Sequence, residues 1–583
     1  MSASPPPPFQ ETRGATSPAV AAGAVEAAEL ILLRGRIHTM DPAQPAAEAV
    51  AIAGGRFLAV GPEAAALRHQ GPRTRLLALE GAAVVPGLTD GHAHMDREGL
   101  RGLLPSLAGC RSIAEIQARI SDLARQARPG DWIVTMPIGD PPFYLGLPGK
   151  LAEGRWPTRQ ELDAAAPDNP VYIKPIWGYW RHTLPLVSIA NSRALALAGI
   201  GRGTAPPSPD VEIQRDAAGE PTGIFLENTF MPLVELTLLR AVPGFTTAQR
   251  AASLPAAMAA YHAQGTTAVF EGHGVASELL DAYRRVHAAG QMTMRTHLVA
   301  SPSWRQLGDV DPAALIAGWG HGLAGQGLGD DRLRLAGLAA ELGQTRENLL
   351  RAAADSTGWA GFHYDAGMER DRAKALLVAC ARAGIRVTGI WPNILELFAE
   401  VDRIAPIRDL RWVFGHITAL TRDQVGQIRD LGLGVTTHTN RYIRKEGHLL
   451  ADRLGLDTEE KIVPLRWLGE AGVPVCLATD NVPISLFPPI AQAVTRWSPA
   501  AQRAIGPGQA LSRAEALGCV TRNGAWLTFE EDRRGSITPG KFADLAVLDA
   551  DPFTVADAAL ERIAARATLV GGDFVHGAPA PAA

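Results

Sequence analysis

Two histidines spaced by one residue, His92 and His94, close the run Val84-Val85-Pro86-Gly87-Leu88-Thr89-Asp90-Gly91-His92-Ala93-His94. The residues ahead of them are apolar and strand-like, and side chains two apart on a strand point to one side, so both imidazoles are expected to face together. That arrangement suits a metal. A bound divalent ion makes hydroxide available near neutral pH, so the end of this run reads as the start of a hydrolytic site. A pair of surface histidines is the other reading of an isolated His-x-His.

The elements that would position such a site recur along the chain. After the opening strand, strand-like runs at Thr266 to Glu271, Met294 to Ala300, Leu333 to Ala339, Ile385 to Trp391, Arg411 to His416, Gly434 to Thr439 and Val473 to Asp480 alternate with amphipathic helical stretches. Eight such units predict an α/β fold, a closed TIM-like (β/α)8 barrel, with catalytic groups at the C-terminal strand ends. Polar residues cluster there: His94, Glu271, His416, His438 and Asp480. Gly54-Gly55 and Gly571-Gly572 each separate two short β runs near opposite chain ends, which predicts one small β-sandwich from residues 29–83 and 525–583. The barrel would then occupy 84–524. Residues 97–264 are too long for one unit and are expected to be an insertion covering the barrel mouth, a lid whose Trp177 and Trp180 contact substrate or simply fill core.

With 583 residues, 46% hydrophobic and 20% charged, the chain can bury a large core in more than one domain. A net charge of -4, with the signs mixed along the chain, gives no footprint for nucleic acid, so a small-molecule partner is expected, and a homo-oligomer stays open. The four cysteines lie far apart without C-x-x-C spacing, which argues against disulfides and thiolate zinc and for a reducing, cytoplasmic setting. Residues 1–28 read as a disordered Pro/Ala/Ser-rich tail rather than a signal peptide, and no stretch is long and apolar enough for a membrane span. Gly320-His321-Gly322-Leu323-Ala324-Gly325 matches G-x-G-x-x-G but follows helical sequence, and no G-x-S-x-G elbow or P-loop occurs.

Taken together, the run ending at His94, Thr479-Asp480-Asn481, and Gly535-Ser536-Ile537-Thr538-Pro539-Gly540-Lys541-Phe542-Ala543-Asp544-Leu545 resemble the amidohydrolase superfamily, in its family 3 branch. The resemblance runs from about Leu30 to His576 and includes Asn191-Ser192-Arg193-Ala194-Leu195 and Pro221-Thr222-Gly223. It implies that His92 and His94 hold an ion, that Asp480 touches the ion and its water and moves the proton, and that His416 is a ligand or substrate contact. Two positions depart from the pattern. The fourth strand has no lysine, and Gly389 in Gly389-Ile390-Trp391-Pro392-Asn393 stands where the fifth-strand histidine is expected. One tightly bound ion, zinc by its ligand types, is therefore expected rather than two, with Glu271 as a fourth ligand. His273, His297 and His363 are further candidates, and His438, Trp177, Trp180 and Trp391 are expected on the substrate. The implied reaction is hydrolysis of a non-peptide C–N bond in an amide, formamide, lactam or carbamate. A deaminase and a non-catalytic small-molecule-binding barrel are the alternatives.

Overall fold

The apolar run ahead of His92 forms two strands, not one, and the break falls at Gly87. Ala83–Pro86 pairs antiparallel with Leu545–Leu548 and parallel with Arg36–His38, whereas Leu88–Asp90 pairs parallel with Thr266–Val275. A Cβ on Gly87 would lie 2.2 Å from Thr267 Oγ1, so only glycine lets the chain cross between the two sheets here. Gly87→Ala is expected to destabilise the fold by about 1–3 kcal/mol through overpacking, read as a lower denaturation midpoint.

The computed structural model describes residues 26–141, 144–176, 184–229, 232–303, 307–343, 350, 361–363, 367–390 and 393–579. Its fold is mixed α/β, built around a nearly closed parallel barrel of eight strands. In chain order these are β1 (Leu88–Asp90), β2 (Thr266–Val275), β3 (Arg295–Ala300), β4 (Leu333–Leu342), β5 (Val387–Ile390), β6 (Val413–Gly415), β7 (Gly434–Thr437) and β8 (Val475–Leu477). Each pairs with the next in parallel. Between the last and the first, Gly91 N donates to Leu477 O at 3.1 Å and Asp480 N to His92 O at 3.0 Å. The intervening helices turn one apolar stripe inward. In Arg370–Arg382, for example, Ala373, Leu376, Leu377, Cys380 and Ala381 are buried at helical spacing.

Two further sheets come from the chain ends. Arg56–Gly61, Ala49–Ala53, Leu30–Leu33 and Arg75–Ala78 form one, and the other joins Arg36–His38 and Ala83–Pro86 to Leu545–Leu548, Ala565–Val570 and Asp573–His576. Leu32, Val50, Ile52, Val84, Leu545, Val547 and Leu569 share a single apolar cluster between them. Residues 1–25 of the expected tail lie outside the described residues, and Ala28 is already buried, with its N–H on His69 O at 2.8 Å.

Residues 97–264 carry a five-stranded sheet in the order Val211–Arg215, Pro221–Glu227, Leu186–Ala190, Val171–Ile173, Ile133–Thr135. Alternation along Val171–Ile173 sends Val171 and Ile173 into one apolar cluster and Tyr172 into another, so the segment has core on both faces of its sheet. That is more internal structure than a plain lid requires. Leu100, Met136, Tyr144, Ile176, Leu186 and Leu236 of this segment nevertheless close onto Phe362 from the barrel.

Candidate metal centre

β1 stops at Asp90, so strand alternation does not place His92 and His94. Both follow the strand, and His94 immediately precedes the helix Met95–Arg101. What holds them is Asp90. Its Oδ1 accepts from His92 N at 3.1 Å and Thr479 N at 3.0 Å, and its Oδ2 accepts from Thr479 Oγ1, which clamps the end of β1 to the segment carrying Asp480. Burial pushes the Asp90 carboxyl up to about 6, against the hydrogen bonds from Thr479 and His92. Asn481 adds a second tie by donating from Nδ2 to His94 O at 3.2 Å.

The chain then turns sharply at two strand ends. His416 and Asp480 have φ of 57° and 52°, left-handed values that non-glycine residues adopt at a cost and that direct both side chains into the barrel mouth. The result is a compact group of donors. His94 Nε2 lies 3.1 Å from Asp480 Oδ1, His438 Nε2 lies 3.9 Å from Asp480 Oδ2, and His416 Nε2 lies 3.2 Å from His92 Nε2. The His92 ring centre is 5.2 Å from that of His94, 4.6 Å from His416 and 5.9 Å from His273. Among the described residues, two sets of ligand atoms fall within 4.8 Å of one another: His92, His94 and Asp480, and His92, His273 and His416.

The donor set fits a divalent ion. Burial lowers His92 to about 4 and His94 to about 3, and it holds His416 well below its ordinary value, so at neutral pH all three rings are uncharged and keep a lone pair. His92 Nδ1 is buried and has no hydrogen-bond partner among the described residues. Nitrogen ligands about 2.05 Å from a tetrahedral zinc stand about 3.3 Å apart, close to the spacing of the His92 and His416 Nε2 atoms. Burial opposes ionisation of Asp480, but the hydrogen bond from His94 and the imidazoles of His438 and His416 outweigh it, holding the carboxyl well below its ordinary value.

Residues 75–576 match the family described as the amidohydrolase family. The chain belongs to it. The amidohydrolase is accordingly a metal-dependent hydrolase of carbon–nitrogen bonds other than peptide bonds, the activity its sequence motifs imply. It is 26% identical over 570 residues to N-substituted formamide deformylase of Arthrobacter pascens, covering 93% of this chain and 97% of that one. Among solved structures, a metal-dependent hydrolase from Pyrococcus horikoshii shares the fold at a TM-score of 0.64 and 20% identity, over 91% of this chain and 99% of that one. An adenosine deaminase from Xanthomonas campestris with bound zinc matches at 0.51 and 16%, over 96% and 95%.

Within the amidohydrolase, the other candidates take different places. Glu271 sits behind His94, not beside the ligand groups. Its Oε1 accepts from Met95 N at 2.8 Å and Tyr283 OH at 3.1 Å, and its Oε2 is 3.9 Å from His94 Nδ1, on the side of the ring away from the nitrogen facing Asp480. His273, two residues further along β2, is the side chain from this strand that enters a ligand set. The signal for it in the sequence is the spacing Glu271-Gly272-His273. Gly272 must be bare, because a Cβ there would meet His92 Nδ1 at 2.9 Å. His297, early in β3, pairs instead with buried Glu530 at 3.0 Å. His438 is stacked on Tyr442 at 4.7 Å, just ahead of a π-helical turn at Asn440–Lys445. Trp177, Trp180 and Trp391 lie outside the described residues. Gly389 has a further consequence for the fifth strand. A side chain there would point at Phe398 and Ile394 in the helix layer, while Thr388 and Ile390 face the interior cavity.

Among the described residues no helix is long and apolar enough to cross a membrane.

Proposed function

We propose that this amidohydrolase binds one catalytic divalent ion, zinc, and hydrolyses an amide or formamide whose nitrogen carries a hydrophobic substituent. The observation that carries the one-ion reading is that His92 belongs to both sets of ligand atoms. A neutral imidazole has one lone pair, so His92 serves one ion at a time. An ion that takes His92 draws its other ligands from His94, Asp480, His416 and His273. Glu271 then acts as the orienting partner behind His94, in place of the direct ligand expected from the sequence. The similarity to N-substituted formamide deformylase supports the amide and formamide class.

When bound, the ion lowers the pKa of a water and polarises the substrate carbonyl. Asp480 takes the proton from the attacking water at a carboxylate oxygen and passes it to the departing nitrogen, acting as base and then acid. His438, beside Asp480 Oδ2, and His416 orient the substrate. Phe362 stacks on His273 with ring centres 3.9 Å apart and packs under the 97–264 segment, which supports a role for that segment in covering the mouth and excluding bulk water. The two end sheets with their shared apolar cluster support a single β-sandwich domain made from both chain ends.

Elemental analysis of the purified enzyme, after dialysis against a weak chelator, is expected to give one equivalent of metal per chain at full activity. Two retained equivalents would refute the one-ion reading. A panel of N-substituted formamides, anilides, lactams and carbamates is expected to release the free amine. Ammonia release from an amidine-type substrate, with no amine from any member of the panel, would favour the deaminase instead.

A further inference from the structure

The region where β4 and β5 would supply ligands for a second ion is a small cavity. Gly272 and His273 of β2, Ala339, Ala340 and Glu341 of β4, and Thr388 and Ile390 of β5 line it. It has room of about 10 Å³ for a water-sized sphere, the space of roughly one water or one heavy atom with its hydrogens. His273 lines the cavity and also belongs to a ligand set, so the cavity borders the candidate metal centre.

Ala339, Ala340 and Ile390 give the cavity aliphatic walls, and besides His273 two polar residues, Thr388 and Glu341, line it. Thr388 is 1% exposed, and its hydroxyl has no hydrogen-bond partner among the described residues. A buried hydroxyl left unpaired is costly, so a ligand group that reaches it with a hydrogen bond is favoured over one that does not. Glu341 lines the same space and is 5% exposed. A carboxyl oxygen there can accept a hydrogen bond alongside the contact Glu341 already makes. A methyl on the reacting carbonyl would fill the cavity and leave the hydroxyl unpaired, while a formyl hydrogen would leave the cavity empty. An amino group matches it in size and in donors.

We propose that this cavity receives an –NH2 carried by the scissile carbon, which makes N-substituted ureas a substrate class selected by Thr388 and Glu341. The inference rests on the hydrolase reading above. In the reaction, water adds to the urea carbonyl carbon, the bond to the substituted nitrogen breaks, and a proton goes to that nitrogen. The products are the amine and carbamic acid, which decomposes to carbon dioxide and ammonia.

The test measures binding separately from turnover. Calorimetry on the zinc-loaded full chain carrying Asp480→Asn, which slows turnover so that binding is read before appreciable ligand is consumed, compares N-phenylurea with N-phenylacetamide. N-phenylurea is expected to bind about tenfold tighter or better. That preference should vanish when Thr388→Val is added, a change that keeps the side-chain shape and removes the hydroxyl, and it should shrink with Glu341→Gln. Equal binding of the two probes, a preference that survives Thr388→Val, or no binding of either would overturn the proposal. The hydrolase reading fails differently: unsubstituted enzyme would leave all amide and urea probes intact even where the binding preference is present.

Discussion

His92→Ala is expected to strip the ion and abolish activity together. His92 is the residue common to both ligand sets, so its loss reduces each from three donors to two, and two ligands hold a divalent ion weakly. Turnover should fall by at least about 10³-fold, because the activated water and the polarised carbonyl both depend on the ion. The fold should survive. The contact that anchors position 92 runs from its backbone N–H to Asp90 Oδ1, and alanine keeps that N–H. Metal content, activity and the circular-dichroism melt, measured on one preparation, check the three parts of this expectation. His94→Ala and His273→Ala each disturb one set and should lose less metal. A His92→Ala protein that retains its ion after dialysis would show that the centre lies elsewhere.

Asp480→Asn is expected to lower kcat by about 10²–10⁴-fold while changing KM much less, since the amide keeps the shape and removes the group that carries the proton. The substitution is a clean one on structural grounds. Position 480 has a φ of 52°, and asparagine tolerates the left-handed region better than most residues. The backbone bond from residue 480 N–H to His92 O is untouched, so the closure between β8 and β1 persists. Asparagine keeps an oxygen where Asp480 Oδ1 faces His94 Nε2, so the ligand group keeps its shape. Steady-state kinetics on the metal-loaded variant is the check, and near-parental kcat with metal bound would remove Asp480 from the proton-transfer role.

Several parts of the site were readable from residue types alone. His92, His94 and Asp480 form one of the two ligand sets, and His416 belongs to the other. All sit in local patterns, a short strand ending in polar residues, that announce themselves without neighbours. Glu271 and His273 show where this fails. Both are buried or nearly so on one strand two residues apart, and both have ligand chemistry. Met95 N–H, 176 positions away, and Tyr283 OH from the next helix take up Glu271 Oε1, while Phe362 packs flat on His273 and sets it beside His92. Asp90 was part of a motif but carried no role until Thr479 arrived from 389 positions away to share it.

The sequence by itself determined the periodicities and the chemistry. Alternating apolar runs dictate eight strands with helices between them, because each strand must bury both faces and each helix one stripe, and the parallel barrel satisfies both. Strand-end histidines and a carboxylate suit a divalent metal, and the longer motifs around them mark the amidohydrolase family and with it the hydrolase chemistry. The tertiary structure decided the rest. It split the first apolar run between two sheets at Gly87, a consequence of Thr267 packing against it from another strand. It moved His92 and His94 off the strand and onto an Asp90 clamp. It turned position 389 toward the helix layer and Thr388 toward the interior, leaving a cavity where a second ion's ligands were sought. The first two depend on residues far apart in the chain, Thr267 against Gly87 and Thr479 on Asp90, contacts that no local pattern encodes.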